Sequence, residues 1–275
     1  MTSSNDATQL AQALAGPGIT ITSATLTESN DPAQQGLFSG ASGVLPFDSG
    51  IALTNGSINN IPGPNNSSGA SQNWGGPGYA PLELLNGNTP TFDANVLTFT
   101  FVPTGNQVSF QYVFGSEEYN EFVNAFNDVF AFYLNGTNIA LIPGTSSPIA
   151  INSVNCMSNS QFYTNNDPFT GSEAGCSGNV ANPLDIQYDG LVGASQPLFA
   201  TGSVTPNQPN TITLAIADTG DGNLDSGVMI AGNSFVVGPP PSATPEPASL
   251  VFMGTGLLGL AVLLRKRKML LGNRA

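Results

Sequence analysis

The 275-residue chain carries eighteen Asp and Glu, five Lys and Arg and no His, for a formal net charge of −13. All five basic residues lie at the end, at Arg265, Lys266, Arg267, Lys268 and Arg274, so residues 1–264 hold no positive side chain. This excludes internal salt bridges over most of the chain, excludes nucleic-acid binding because such a surface repels phosphate, and excludes Ser-His-Asp, Cys-His and Schiff-base chemistry.

In chain order, "DATQLAQALAG" reads as a short helix that Asp6 caps and Gly16 with Pro17 end. "ITITSATL" (19–26) alternates and is β-branched, which predicts a strand. The stretch 61–79, "IPGPNNSSGASQNWGGPGY", is too long for a simple connection. Its Trp74 reads either as an anchor for that loop or as a platform for a sugar ring. "NVLTFTFVP" (95–103) and "NQVSFQYVF" (106–114) flank a Pro-Thr-Gly-Asn turn and predict a hairpin. "DVFAFYL" and "TNIALI" flank Asn135-Gly136, the strongest short hairpin signal. "NTITLAIA" and "SGVMIAGNSFVV" complete the set. The Phe-rich run from Phe110 to Phe132 reads as core. No repeat of fixed period occurs, and no helical pattern separates the strands. An all-β antiparallel sandwich of jelly-roll type over 7–237 is expected, followed by a Pro-rich linker over 238–247 and a separate apolar helix.

Three groups of side chains suggest chemistry. Asp218, Asp221, Asn223 and Asp225 in "DTGDGNLDSG" place oxygen ligands around a Gly-rich turn, the pattern by which loops bind calcium. It is not an EF-hand, because Gly227 falls one position late and no Glu follows. The same residues also fit a polar turn bonded to its own backbone. Glu117 and Glu118 are candidate additional ligands. As glycosidase carboxylates they are poorly placed, since neighbours in a strand face opposite ways; a pairing of one of them with Asp128 or Glu121 stays open. Cys156 and Cys176 are the only cysteines, and in an exported protein they predict a disulfide.

The chain ends in "PSATPEP", an uncharged stretch from Ala248 to Leu264, and "RKRK". Seventeen residues of helix span about 25 Å, slightly less than the hydrocarbon core of a bilayer. The prolines before the stretch favour an extended, exposed linker. A basic block directly after an apolar segment marks the cytoplasmic side. The charge asymmetry is therefore one of topology, with the acidic domain outside.

Pro245, Glu246 and Pro247, then the apolar helix, then Arg265 to Lys268, resemble the PEP-CTERM sorting signal of Gram-negative bacteria. That resemblance implies a precursor inserted in the inner membrane, processing by an exosortase near the tripeptide, and a mature protein with no membrane helix. An exported chain should open with a basic and then an apolar region. "MTSSNDATQL" offers neither, so either the true start lies upstream, the reading favoured, or a signal peptide has been removed.

"VFGSEEYNEFVNAFNDVFAFYLNG", "LAIADTGDGNLDSGVMI", "LTNGSINNIPGPNNSSG" and "IALIPGT" resemble the choice-of-anchor L domain over roughly Ala7 to Val237. The resemblance implies a bacterial surface protein without a known enzymatic activity. The expectation is therefore a non-enzymatic structural or adhesive protein of the cell surface or extracellular biofilm matrix. Its expected partners are the exosortase and then exopolysaccharide or other surface proteins, with calcium as the candidate cofactor. The competing expectation is a carbohydrate-active enzyme or carbohydrate-binding module that uses carboxylates.

Overall fold

The computed structural model describes residues 1–29, 31–169, 172–173 and 176–240. The tripeptide Pro245–Pro247, the apolar segment 248–264 and the basic block Arg265–Lys268 lie outside the described residues, so the structure offers no account of them. In chain order the strands are β1 (Thr2–Ser3), β2 (Ile19–Thr27), β3 (Gln35–Phe38), β4 (Gly50–Thr54), β5 (Thr91–Pro103), β6 (Gln107–Ser116), β7 (Val129–Leu134) and β8 (Thr137–Asn138). They continue with β9 (Tyr163–Asn165), β10 (Ser172–Glu173), β11 (Cys176–Ser177), β12 (Gly190–Val192), β13 (Leu198–Ser203), β14 (Asn210–Thr219), β15 (Ser226–Ala231) and β16 (Val236–Val237). The α-helices are α1 (Ala7–Leu14) and α2 (Ala80–Leu85).

Two antiparallel sheets face each other, so the all-β sandwich expectation holds. The first runs β1-β3-β4-β15-β6-β12-β9, with β13 and β16 also on β6; the second runs β2-β5-β14-β7-β8. The ten residues of β6 are the spine of the first sheet. One of its edges takes β15 and then β16, and the other takes β12 and then β13.

The predicted Asn135-Gly136 hairpin is present. Asn135 (φ 48°) and Gly136 (φ 86°) join β7 to β8 through a two-residue left-handed turn. The predicted hairpin across Pro103-Thr104-Gly105-Asn106 is not. β5 lies in the second sheet and β6 in the first, so the turn carries the chain from one sheet to the other. The reason is packing. Both strands turn an apolar face to the same interior, Leu97, Phe99 and Phe101 from β5 and Val108, Phe110, Tyr112 and Phe114 from β6, all buried. Side by side in one ladder they would have stood on one face instead of facing each other across a core. The turn's backbone finds other partners, with Thr104 N donating to Gly18 O at 2.9 Å and Asn207 N to Pro103 O at 2.7 Å.

The interior is aromatic. Phe101 and Phe235 meet edge to face with centroids 4.8 Å apart, and Tyr112 and Phe132 at 5.0 Å and 90°. α1 closes one side with Leu10 and Leu14, one turn apart and buried. Its N-cap is Asp6, which accepts from Gln9 N at 3.0 Å. α2, which the sequence reading lacked, covers the outer face of the second sheet with Leu82 against Val96, Ala131 and Ala215. Each fully buried Phe or Leu contributes about 1.5–3 kcal/mol, so this core dominates stability. Cys156 and Cys176 are disulfide-bonded, with Cα atoms 5.7 Å apart, as expected.

Candidate functional site

One end of the sandwich collects the acidic residues. Ser116 pairs with Ser226 and with Gly190, Gly190 pairs with Asn165, and Gly227 pairs with Thr54, so these strand ends are level. In the second sheet Thr219 pairs with Thr91, and Ala217 with Val129, at the corresponding end. Just inside or beyond these ends, Asp93, Glu117, Glu118, Asp128, Asp167, Asp189, Asp218 and Asp225 are all buried. An unpaired buried carboxylate costs several kcal/mol, and residues 1–264 offer no cationic side chain. Amides and hydroxyls take that place.

Asn55, one residue past β4, is the hub. Its Nδ2 donates to Asp218 Oδ1 at 2.6 Å and to Asp128 Oδ2 at 3.1 Å, and its Oδ1 accepts from Ser226 N at 2.7 Å. Ser226 Oγ lies 2.7 Å from both Asp128 Oδ2 and Ser116 Oγ, and Thr219 N donates to Asp128 Oδ1 at 2.9 Å. Burial pushes the Asp128 carboxyl up to about 7 against these bonds, with Asp221 adding to the rise. Burial, then Asp128, also raises Asp218. Glu118 is pushed up to about 9 by burial and then by Asp128, Asp221 and Glu121. A register shift on β5 between Phe92 and Asn95, with Asp93 at φ 48°, aims Asp93 out of the ladder towards this end.

A second set of carboxylates holds the long loop over this end. Ala70 N donates to Glu117 Oε2 at 3.0 Å, Gln72 N to Asp225 Oδ1 at 2.6 Å, Trp74 N to Asp93 Oδ2 at 2.8 Å, and Gly76 N to Asp93 Oδ1. Alternate residues of an extended segment thus each find a carboxylate. Trp74 is an anchor, because its indole Nε1 donates to Gly56 O at 2.8 Å. Gly56 itself is dictated by Asp225, whose carboxylate occupies the space a Cβ would need. Burial, then Asp189, pushes the Glu117 carboxyl up to about 9, while the bond from Ala70 and the nearby Gln187 amide oppose it.

The structure therefore divides the six residues read from sequence as a calcium site. Asp218 and Glu118 share a neighbourhood with Asp221, and Glu117 stands apart with Asp189 and Asp225. Asp225 is fully occupied, since its Oδ2 accepts from Ser57 N and Asn60 Nδ2, both at 2.9 Å, in addition to the Gln72 bond on Oδ1. Asp221 Oδ1 accepts from Asn223 N at 3.0 Å, which is the polar turn named as the other reading. Among the described residues no three Asp, Glu, Cys or His side chains stand ready around one metal position. Glu117 and Glu118 answer to different neighbours, as adjacent residues should.

Residues 1–236 match the choice-of-anchor L domain. The chain belongs to the choice-of-anchor L family. Residues 243–268 match the PEP-CTERM protein-sorting motif, the signal an exosortase recognises, which marks a membrane-anchored precursor sorted to the cell surface. No curated protein and no solved structure matches the chain. Among the described residues no helix is long and apolar enough to cross a membrane.

Sequence reasoning missed most of what builds the acidic end of this choice-of-anchor L domain. Asn55, Asp93, Asp167 and Asp189 went unassigned, and Asp128 entered only as a pairing for a glutamate. The available signal was positional. "LTNG", "TFDAN", "FNDVF", "NNDPF" and "QYDGL" each set an Asn or Asp at the edge of an apolar strand, in a region without cations.

Proposed function

We propose that this choice-of-anchor L protein is a non-enzymatic structural or adhesive component of the Gram-negative cell surface. After exosortase processing it would work within the envelope or an exopolysaccharide matrix. The observation that carries this reading is the pairing of a 1–236 surface domain with a 243–268 sorting motif in one chain. A role without catalysis is in keeping with the acidic end, where Asp93, Asp225 and one oxygen of Glu117 are spent on holding backbone amides of the loop over it. Calcium belongs to the same proposal, taken by Asp218 and Asp221 with Asn223 and Glu118 and drawn by charge that no side chain neutralises.

The test is the C-terminus of the protein recovered from envelope and matrix fractions, read by mass spectrometry with and without the exosortase. An end near Pro245-Glu246-Pro247 that depends on the enzyme, together with loss of matrix-associated protein in its absence, supports the proposal. Surface protein still ending at Ala275 would reduce the tail to an ordinary anchor.

A further inference from the structure

β12 runs between β6 and β9, and its first residue, Gly190, pairs with Ser116 on one side and Asn165 on the other. One step beyond these ends Asp189 therefore stands between Glu117 and Asn166, with Asp167 next along the chain. Asn166 N donates to Asp189 O at 2.8 Å and fixes this register past the ladder.

Asp167 and Asp189 are each 0% exposed. Each has one oxygen satisfied. Asp189 Oδ1 accepts from Asn65 Nδ2 at 2.7 Å, and Asp167 Oδ1 accepts from Phe169 N at 2.7 Å. The Oδ2 atom of each is buried and accepts no hydrogen bond. Burial, and then the charges of Asp167 and Glu121, raise the Asp189 carboxyl against the bond from Asn65. Asn65 shows that the neighbourhood is ordered: besides Asp189, its Nδ2 donates to Asn166 O at 3.1 Å, and its Oδ1 accepts from Gln187 Nε2 at 3.0 Å.

Something must answer these oxygens. No Lys, Arg or His exists before Arg265. One proton shared between the two carboxylates leaves a net negative charge buried with no cationic side chain to answer it. A divalent cation satisfies both at once.

We propose that Asp167 and Asp189 hold a calcium-class cation at the junction of β9 and β12. Calcium takes about six to eight oxygen ligands and fills its shell with carbonyls, amides and water, so two carboxylates and their oxygen-rich surroundings suffice. Zinc and copper are disfavoured, because the chain has no imidazole and both thiols are consumed in the disulfide. The ion ties the long β9–β12 connection, which carries Cys176, to the sheet, and through Asn65 it ties down the loop over the acidic end. This inference does not rest on the export reading, and its residues are separate from the Asp218 and Asp221 loop.

The experiment is equilibrium dialysis of radioactive calcium against the full-length chain in detergent, stripped first with chelator, together with thermal unfolding in calcium and in chelator. Asp189→Asn and Asp167→Asn each keep the bonded oxygen and remove the charge. Each is expected to lose one bound ion per chain and most of the calcium-dependent rise in Tm. In chelator above about pH 8, where the Asp189 carboxyl ionises, each should be at least as stable as wild type, since a repulsion has gone. Asp218→Asn should keep this ion, which separates the site from the loop. Wild type that binds no calcium, variants that keep full stoichiometry, or variants that lose stability equally in calcium and chelator would each overturn the proposal. Failure of both variants to fold in chelator would also overturn it, because the carboxylates would then support the fold without an ion.

Discussion

Asn55 and Asp218 meet at 2.6 Å, amide to carboxylate, and join the end of β4 in one sheet to the end of β14 in the other. The same amide reaches Asp128, and its oxygen holds Ser226 N. One neutral side chain thus does what a buried lysine would do elsewhere, without adding a charge that needs its own desolvation.

Replacing Asn55 with Ala strands a buried acceptor on Asp218 and a buried N–H on Ser226, while Asp128 Oδ2 keeps Ser226 Oγ. Leaving a buried group unpaired costs about 1–3 kcal/mol, so the expected loss is at least about 2 kcal/mol in urea unfolding. Asn55→Asp should cost more, because a third carboxylate then faces the other two with no donor between them. An aspartate variant as stable as wild type would show that the hub already holds a proton or ion able to absorb the charge.

Stability should fall as pH rises. Glu117 and Glu118 are pushed up to about 9, Asp189 to about 8 and Asp128 to about 7, with burial the first cause in each. In the unfolded chain such groups ionise near pH 4. Across the interval the folded state therefore holds more protons, and the slope of stability with pH is negative. The contribution is complete below about pH 4 and is lost as pH rises through about 7 to 9. Thermal unfolding in chelator should accordingly give a higher Tm in mild acid than at alkaline pH, the reverse of ordinary acid denaturation. A Tm that climbs from acid to neutral pH would show that these carboxylates are already ionised and compensated.

The parts of this fold that were legible in sequence are those whose signal is local. β2 announces itself by alternation, β7, β14 and β15 by short apolar and β-branched or aromatic runs, and Asn135-Gly136 by the left-handed turn it favours. β5 and β6 were seen as strands but joined wrongly, because alternation shows that a strand has a buried face and not which sheet supplies its neighbour. Short strands such as β3, β12 and β9 are set by pairing with β4, β6 and β12 respectively, a long-range property. The acidic end was half legible for the same reason. The spacing of Asp218, Asp221 and Asp225 is visible within eight residues, but Asn55 and Asp128 come from distant segments that only the topology brings together.

The Cys156–Cys176 bridge spans 20 residues of sequence. Closing a loop of that size contributes about 3 kcal/mol. A thiol reagent should label no cysteine in the unreduced protein and two after denaturation with reductant. Reduction should lower the Tm by several degrees. Two labels without reductant would show that the exported form is not bridged.

Asp225 and Asp221 lie four residues apart in one loop, and their variants should part company. Asp225 spends both oxygens on Gln72 N, Ser57 N and Asn60 Nδ2. An Asn there points an NH₂ at one or two of these donors, so Asp225→Asn should destabilise by about 2 kcal/mol whether or not calcium is present. Asp221 bonds only the Asn223 N–H of its own turn and raises Glu118 and Asp128 by its charge. Asp221→Asn should be neutral or slightly stabilising in chelator and should lose the part of the calcium-induced Tm rise that belongs to this loop. Sodium at matched ionic strength screens but supplies no ligand competition, so it should raise the wild-type Tm less than calcium does. If Asp221→Asn keeps the whole calcium response, the loop from Asp218 to Asp225 is a polar turn and the ion, where one binds, sits elsewhere.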